Sequence, residues 1–307
     1  MNWIFYDILA IFCDAPRVFL DNYVSDVYFK DRYAASQKLF YGYTYAILGI
    51  VVAIIFAQDF ANFTWIGILS LVASGALSSI ANVPYYMALE IDDSTNLGIF
   101  LQIAPILYLL INFFVFGETI GIQQLIAFCI ILAGPALIIL TAKKRSRHLR
   151  VKAVFFIFLY VLISVIGNII FVESHADGTS FVLPLALFFL GKGIMNLLIV
   201  YPNRKWLRHY RRIVKKDKRV FRPLTLNFAF GIATDATYRV ALALAPSTAI
   251  ASAIADSSTP IVIFFMGIIF TLIWPKFGRE KLTRKSVIVH LIATALVAIG
   301  VMLVRNA

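Results

Sequence analysis

Long stretches of this chain carry no charge at all. Leu39–Gln58, Phe60–Leu89, Ser94–Gly117, Thr119–Ala142, Ala153–Val172 and Ser286–Val304 contain no Asp, Glu, Lys or Arg. Four further segments, about 3–20, 181–201, 223–245 and 248–274, are apolar with embedded charge. A helix needs about 20 apolar residues to cross roughly 30 Å of hydrocarbon. The pattern therefore predicts ten membrane-spanning helices. The other spanning architecture, a closed β-barrel, alternates polar and apolar positions, whereas these runs are continuously apolar. The expected fold class is an all-α integral membrane protein with ten transmembrane helices.

Composition agrees. The 307 residues are 61% hydrophobic and 14% charged, with a mean hydropathy of +0.86. A soluble domain is about 45–50% apolar and about 25% charged, so a soluble enzyme, a nucleic-acid module and a disordered tail are excluded. The net charge of +12 changes the picture only through its placement. With ten spans, 24 of the 28 Lys and Arg residues fall in the loops of one side, among them the runs Lys143–Lys152, Arg204–Arg222 and Lys276–Lys285. Basic loops stay cytoplasmic, so both termini and the acidic loop Glu173–Asp177 are expected outside. The Arg204–Arg222 run reads as a topology anchor, or as a site for lipid headgroups or a partner. No basic stretch precedes the first apolar run, so that run is expected to remain as a span. The expected location is a bacterial cytoplasmic membrane.

Cys13 and Cys129 both lie in apolar segments, and no Cys/His cluster has metal-ligand spacing. No cofactor, metal or nucleic-acid partner is implied. The two halves do echo each other. Tyr85-Tyr-Met-Ala-Leu89 precedes Ser94-Thr95, and 153 residues later Tyr238-Arg-Val-Ala-Leu242 precedes Ser247-Thr248. Pro105-Ile106 answers Pro260-Ile261, and Ala127 and Gly134 answer Ala293 and Gly300. Lys38 and Lys192 occupy comparable places. Five helices per unit make the second unit enter the membrane from the opposite side. Inverted repeats of this kind are a known build for secondary transporters. The expected division is residues 1–142, a basic linker 143–152, and residues 153–307.

The series Tyr86-Met-Ala-Leu-Glu, Ser94-Thr95, Pro105-Ile106, Gly117-Glu118, Gln124 and Gly134 resembles the EamA repeat of the drug/metabolite transporter superfamily. A looser second copy runs through Val240-Ala-Leu-Ala, Ser247-Thr248, Pro260-Ile261, Gly278-Arg-Glu280 and Gly300. The resemblance implies two inverted five-helix repeats, transport by alternating access, and a central cavity lined by the first, third, fourth, sixth, eighth and ninth spans. The fifth and tenth spans would be peripheral, where two copies could pair. Family members usually have cytoplasmic termini, while the Lys/Arg count here favours outside termini.

Seven ionisable residues lie inside the predicted spans: Asp7, Asp14, Arg17, Lys192, Asp235, Arg239 and Asp256. Each costs about 2.5–3.5 kcal/mol at mid-span on insertion scales, so such groups face a protein interior or a wet cavity. At about 1.5 Å per residue, Asp14, Lys192 and Asp235 all fall near the midplane. Asp235 and Arg239 are four apart and share a helix face, and Asp14 and Arg17 are three apart. Asp7 lies near the helix end, where simple neutralisation is the plainer reading. Ala255-Asp-Ser-Ser-Thr-Pro260 reads either as a helix break that would expose N–H groups to an anion, with Asp256 able to carry a proton, or as a proline kink whose hydroxyls bond to the preceding turn. At the repeat offset, Asn82 takes the slot of Asp235 and Asn168 that of Asp14.

These residues favour a secondary transporter of a small organic metabolite, such as an amino acid or amine, with proton coupling as an extension. Candidate substrate or coupling residues are Asp14, Asn82, Tyr86, Asn168, Lys192, Asp235, Arg239 and Asp256. A flippase for a lipid or lipid carrier is the alternative. No nucleophile elbow or paired His/Asp motif supports a membrane enzyme.

Overall fold

The computed structural model describes residues 2–29, 36–89, 91, 101, 103–117, 121–141, 151–175, 179–273 and 284–305. Ser94-Thr95, Glu118, Asp177, Gly278–Glu280 and the linker as far as Arg150 lie outside them. All regular structure among the described residues is helical. The helices are α1 Asn2–Val24, α2 Lys38–Ile55, α3 Trp65–Leu89 and α4 Ile103–Phe116. They continue with α5 Ile122–Thr141, α6 Val151–Glu173, α7 Val182–Val200 and α8 Arg204–Lys216. The last are α9 Phe221–Leu244, α10 Thr248–Ile273 and α11 Arg284–Arg305.

Helices α2, α3, α6, α7 and α10 are each long and apolar enough to cross a membrane. Helix α4 and stretches of α5 and α11 are apolar but shorter. Helices α1 and α9, with 23 and 24 residues, carry five of the seven embedded charges, and α7 and α10 carry Lys192 and Asp256. Helix α4 stops at Gly117, whose φ of 67° lies in the left-handed region that glycine enters without strain.

One open alternative closes and one expectation changes. Helix α10 runs unbroken through Ala255–Pro260. The Thr259 hydroxyl donates to the Ala255 carbonyl at 2.8 Å, so hydroxyls are satisfied within the helix rather than capping a new one. The Arg204–Arg222 run is not a loop but contains α8. Its signal was present in Trp206, Leu207, Tyr210, Ile213 and Val214, spaced to share one face. Asn203 caps it by accepting from the Lys205 and Trp206 N–H groups, both at 3.2 Å.

The chain forms two compact units, Met1–Phe19 with Ser94–Arg150 and Phe230–Ala307, and Leu20–Asp93 with Val151–Ala229. Each draws segments from both expected repeats.

In the second of these units α7 packs against both α2 and α3, and α6 packs on α3. Glycines set the spacing. A Cβ on Gly191 would overlap the Val72 carbonyl of α3, and one on Gly75 the Phe188 carbonyl of α7. Two residues on, Gly193 faces the Ala46 backbone of α2 with equally little room. Lipid is as apolar as leucine, so close backbone approach through small residues is what holds such helices together. Helix α8 docks through Tyr210, Ile213 and Val214 on a core of Val24, Phe29, Val220 and Leu224. Tyr210 stacks on Phe29 with centroids 6.2 Å apart.

In the other unit α5 and α11 pair through the same small residues that echoed in the sequence. A Cβ on Gly134 would meet the Ala293 carbonyl oxygen at 3.0 Å, and one on Gly300 the Ala127 carbonyl oxygen at 3.0 Å. Ile261 of α10 closes on Ala293 and Val297 of α11. The Asn112 amide donates to the Thr248 hydroxyl at 2.9 Å, tying α4 to α10.

Two predictions follow from this packing. Gly191→Ala should lower the thermal unfolding temperature of the purified protein, since overpacking costs about 1–3 kcal/mol. Gly121→Ala, with nothing within 4 Å of its Cβ, should leave it unchanged. The second concerns His209 on α8, which burial first and Arg212 second hold below the ordinary histidine value. The docked helix therefore favours the neutral ring. Its docking is complete at neutral pH and weakens as pH falls through the histidine range. Amide hydrogen exchange across α8 should rise on acidification in the wild type and respond less in His209→Gln.

Candidate functional site

Both units hold ionisable side chains away from solvent, with opposite character. In the unit containing α4, α5, α10 and α11, Asp7 of α1 is fully buried, and neither carboxyl oxygen has a hydrogen-bond partner among the described residues. It feels the charge of Asp256 on α10. Asp256 accepts a hydrogen bond from the Ser252 hydroxyl, one turn earlier, at 2.7 Å. Asp256 also feels Asp14, which lies two turns beyond Asp7 on α1 and pairs with Arg17 at 3.1 Å. From α9, Tyr238 hydrogen-bonds with Ser252 and is close enough to Asp7, Asp256 and Tyr108 to interact with each.

Arg239 is 4% exposed, and its guanidinium reaches back one turn on α9. It donates to the Asp235 carboxylate at 3.2 Å and to the Asp235 backbone carbonyl at 3.0 Å. The i, i+4 spacing makes this pair inevitable once both residues are helical. The result is a set of ionisable side chains on α1, α9 and α10 in which four aspartates accompany two arginines.

In the other unit the buried charges are cationic. Lys38, the first residue of α2, is 3% exposed, and its ammonium donates to the Ser79 carbonyl of α3 at 3.0 Å. The Ser79 hydroxyl in turn donates to the Lys192 carbonyl of α7 at 2.9 Å. The Lys192 ammonium lies over the Tyr45 ring at 4.7 Å and that of Lys38 over the Tyr86 ring at 5.4 Å, distances suited to cation–π attraction. Asn82, one turn from Ser79, donates to the Ser78 carbonyl at 3.0 Å. Asn168 is half-buried on α6.

Of the sequence candidates, Asp14, Asp235, Arg239 and Asp256 thus fall in one unit, and Asn82, Tyr86, Asn168 and Lys192 in the other. Asp7 and Lys38 are drawn into these clusters although neither was a candidate. Lys38 had a signal: it stands 154 residues before Lys192, the offset that also relates Asp14 to Asn168. Asp7 was visible as an ionisable residue in an apolar run, but its full burial depends on which helices cover the start of α1.

Five helices long and apolar enough to cross a membrane define the class, an integral membrane protein. Residues 30–140 match the model of the EamA-like transporter family, which belongs to the drug/metabolite transporter superfamily. The chain has the fold of a solved structure described only as "Crystal structure of protein", with a TM-score of 0.69 at 13% identity, covering 99% of this chain and 96% of that one. No curated protein matches the sequence.

The buried pair gives a prediction of its own. Arg239→Met removes the guanidinium that faces the Asp235 carboxylate and should destabilise the protein by about 3–5 kcal/mol. Removing both charges, in Asp235→Asn/Arg239→Met, should recover much of that loss. Thermal unfolding in detergent measures both variants.

Proposed function

We propose that the protein is a secondary transporter that moves a small organic solute across a bacterial cytoplasmic membrane by alternating access. The observation that carries this reading is the burial of Asp7, Asp235, Arg239, Lys38 and Lys192 within otherwise apolar helices. Each is costly in a span, and such groups mark ion and solute pathways. The EamA-like match over residues 30–140 supports the same class.

In this reading α1–α7 and α9–α11 are the ten spans, arranged as two inverted repeats, 1–142 and 153–307, around the basic linker. The basic loops and α8 face the cytoplasm. Asp14 and Asp235 hold a cationic group or a coupling proton, and Arg239 and Lys192 hold an anionic one. Asp256, in the outer half of α10, acts at the outer gate. Asn82, Tyr86 and Asn168 supply hydrogen bonds and an aromatic face.

The test is flux in proteoliposomes. Wild-type protein should exchange labelled amino acids or amines, and an imposed proton gradient should accelerate uptake. Asp256→Asn should keep exchange under equilibrium conditions but lose the response to the gradient. A panel of solutes that enters no faster than in protein-free vesicles would sink the reading.

A further inference from the structure

We infer that the end of α7 and the first turns of α8 form a binding site for an anionic phospholipid, held by the phosphodiester of its headgroup. The inference goes beyond the transporter reading, because it concerns the outer surface of the chain and holds whether or not a solute is carried. The stretch from Arg204 to Arg222 contains ten Lys and Arg residues and one acid, Asp217. All ten are exposed. Among the described residues, none of the seven on α8 makes an ion pair. Asp217 serves a turn instead, its carboxylate accepting from the Arg219 N–H at 2.9 Å. The apolar side of α8 is already occupied, since Tyr210, Ile213 and Val214 pack on Val24, Phe29, Val220 and Leu224. The helix is therefore held by protein and presents its charge outward, unlike an amphipathic helix that sinks its apolar face into the bilayer.

The place of this charge in the fold selects a lipid. Helix α7 is long and apolar enough to cross a membrane and ends at Val200, and α8 begins at Arg204. Leu198 and Tyr201 are exposed where α7 ends. The Tyr201 hydroxyl hydrogen-bonds with that of Tyr43, near the start of α2, and tyrosines of this kind gather at headgroup level. An open cleft of about 600 Å³ lies at the junction, lined by Ile199, Pro202, Asn203, Arg204, Lys205 and Arg208. Its apolar part belongs to the end of a span and its basic part to the first turns of α8. A phospholipid presents the same order, hydrocarbon and then phosphate. Arg204 and Arg208 are four apart and share a helix face. The Arg208 Nε donates to the Arg204 carbonyl at 3.2 Å, which fixes the guanidinium and leaves its two terminal nitrogens for a pair of phosphate oxygens. The Asn203 side-chain oxygen is used in capping, so its amide nitrogen remains as a donor. A free anion would meet the cations but gain nothing from Ile199 and Pro202. The rest of the basic face, Arg211 to Lys216, enriches anionic lipid around the cleft.

The experiment uses the full chain purified in detergent. Its melting temperature is followed as dioleoylphosphatidylglycerol or dioleoylphosphatidylcholine is added to the micelles. A lipid that binds the folded state raises the melting temperature by mass action, so phosphatidylglycerol should raise it saturably and phosphatidylcholine should not. In Arg204→Gln/Lys205→Gln/Arg208→Gln the half-saturating mole fraction should rise by about tenfold or more, and in Arg208→Gln alone by about fivefold. Lys215→Gln/Lys216→Gln/Lys218→Gln removes the same charge away from the cleft and should raise it by about threefold or less. Unfolding in phosphatidylcholine micelles reports the fold of each variant and should match the wild type, since only exposed positions change. An equal loss in the two triple variants would mean a diffuse basic surface and overturns the site. No phosphatidylglycerol-dependent shift in the wild type overturns it as well. So does an equal shift from inorganic phosphate at matching anion concentration, which would mean that the cations take any free anion and the lipid is not selected.

Discussion

Hydrocarbon offers no hydrogen bonds, so every charge carried into an apolar helix has to be answered by the protein itself. The answers here are of two kinds. Some are local and follow from helix periodicity, as with Asp14 and Arg17 three apart and Asp235 and Arg239 four apart. Others reach between helices, as when Lys38 of α2 finds a carbonyl on α3. The local pairs need nothing from the tertiary fold except burial. The others exist only because α2, α3 and α7 approach closely enough for side chains to cross between them.

That approach depends on residues with no side chain. On α7, Gly191 and Gly193 point to different neighbours, one to α3 and the other to α2, with Lys192 between them. The backbone of α7 is therefore pressed on two sides, and the one long side chain in the triplet lies among aromatic rings. Close packing and charge placement are the same event at this point. A larger residue at either glycine would move the helix and with it the lysine. The α5–α11 pair shows the same device in a purely apolar setting, where Gly134 and Gly300 each face a carbonyl beside an alanine of the partner helix.

Much of the helical plan was legible in the sequence because it rests on length and hydropathy, both local quantities. Five helices are long and apolar enough to cross a membrane, and Gly117 ends α4 where the charge-free run ended. Local hydrogen bonding decided between two readings that the sequence left open. Ala255–Pro260 resembled a break, but threonine in a helix can return its hydroxyl to the carbonyl four residues back, and α10 continues. In α8 the density of basic residues masked an apolar stripe that finds its complement in Val24, Phe29, Val220 and Leu224. Those partners are distant in sequence, so only the folded chain pairs them.

The sequence by itself determined an all-helical membrane protein, the segments that form its apolar helices, and the i, i+3 and i, i+4 charge pairs. All of these depend on neighbours within one or two turns. Only the tertiary structure decided that Asp7 is enclosed near Asp256 while Lys38 is brought to Lys192. Those pairings depend on which helices lie side by side, and hydrophobic periodicity does not distinguish one apolar helix from another as a neighbour. The distinction is made by shape, through a few small residues that let particular backbones touch.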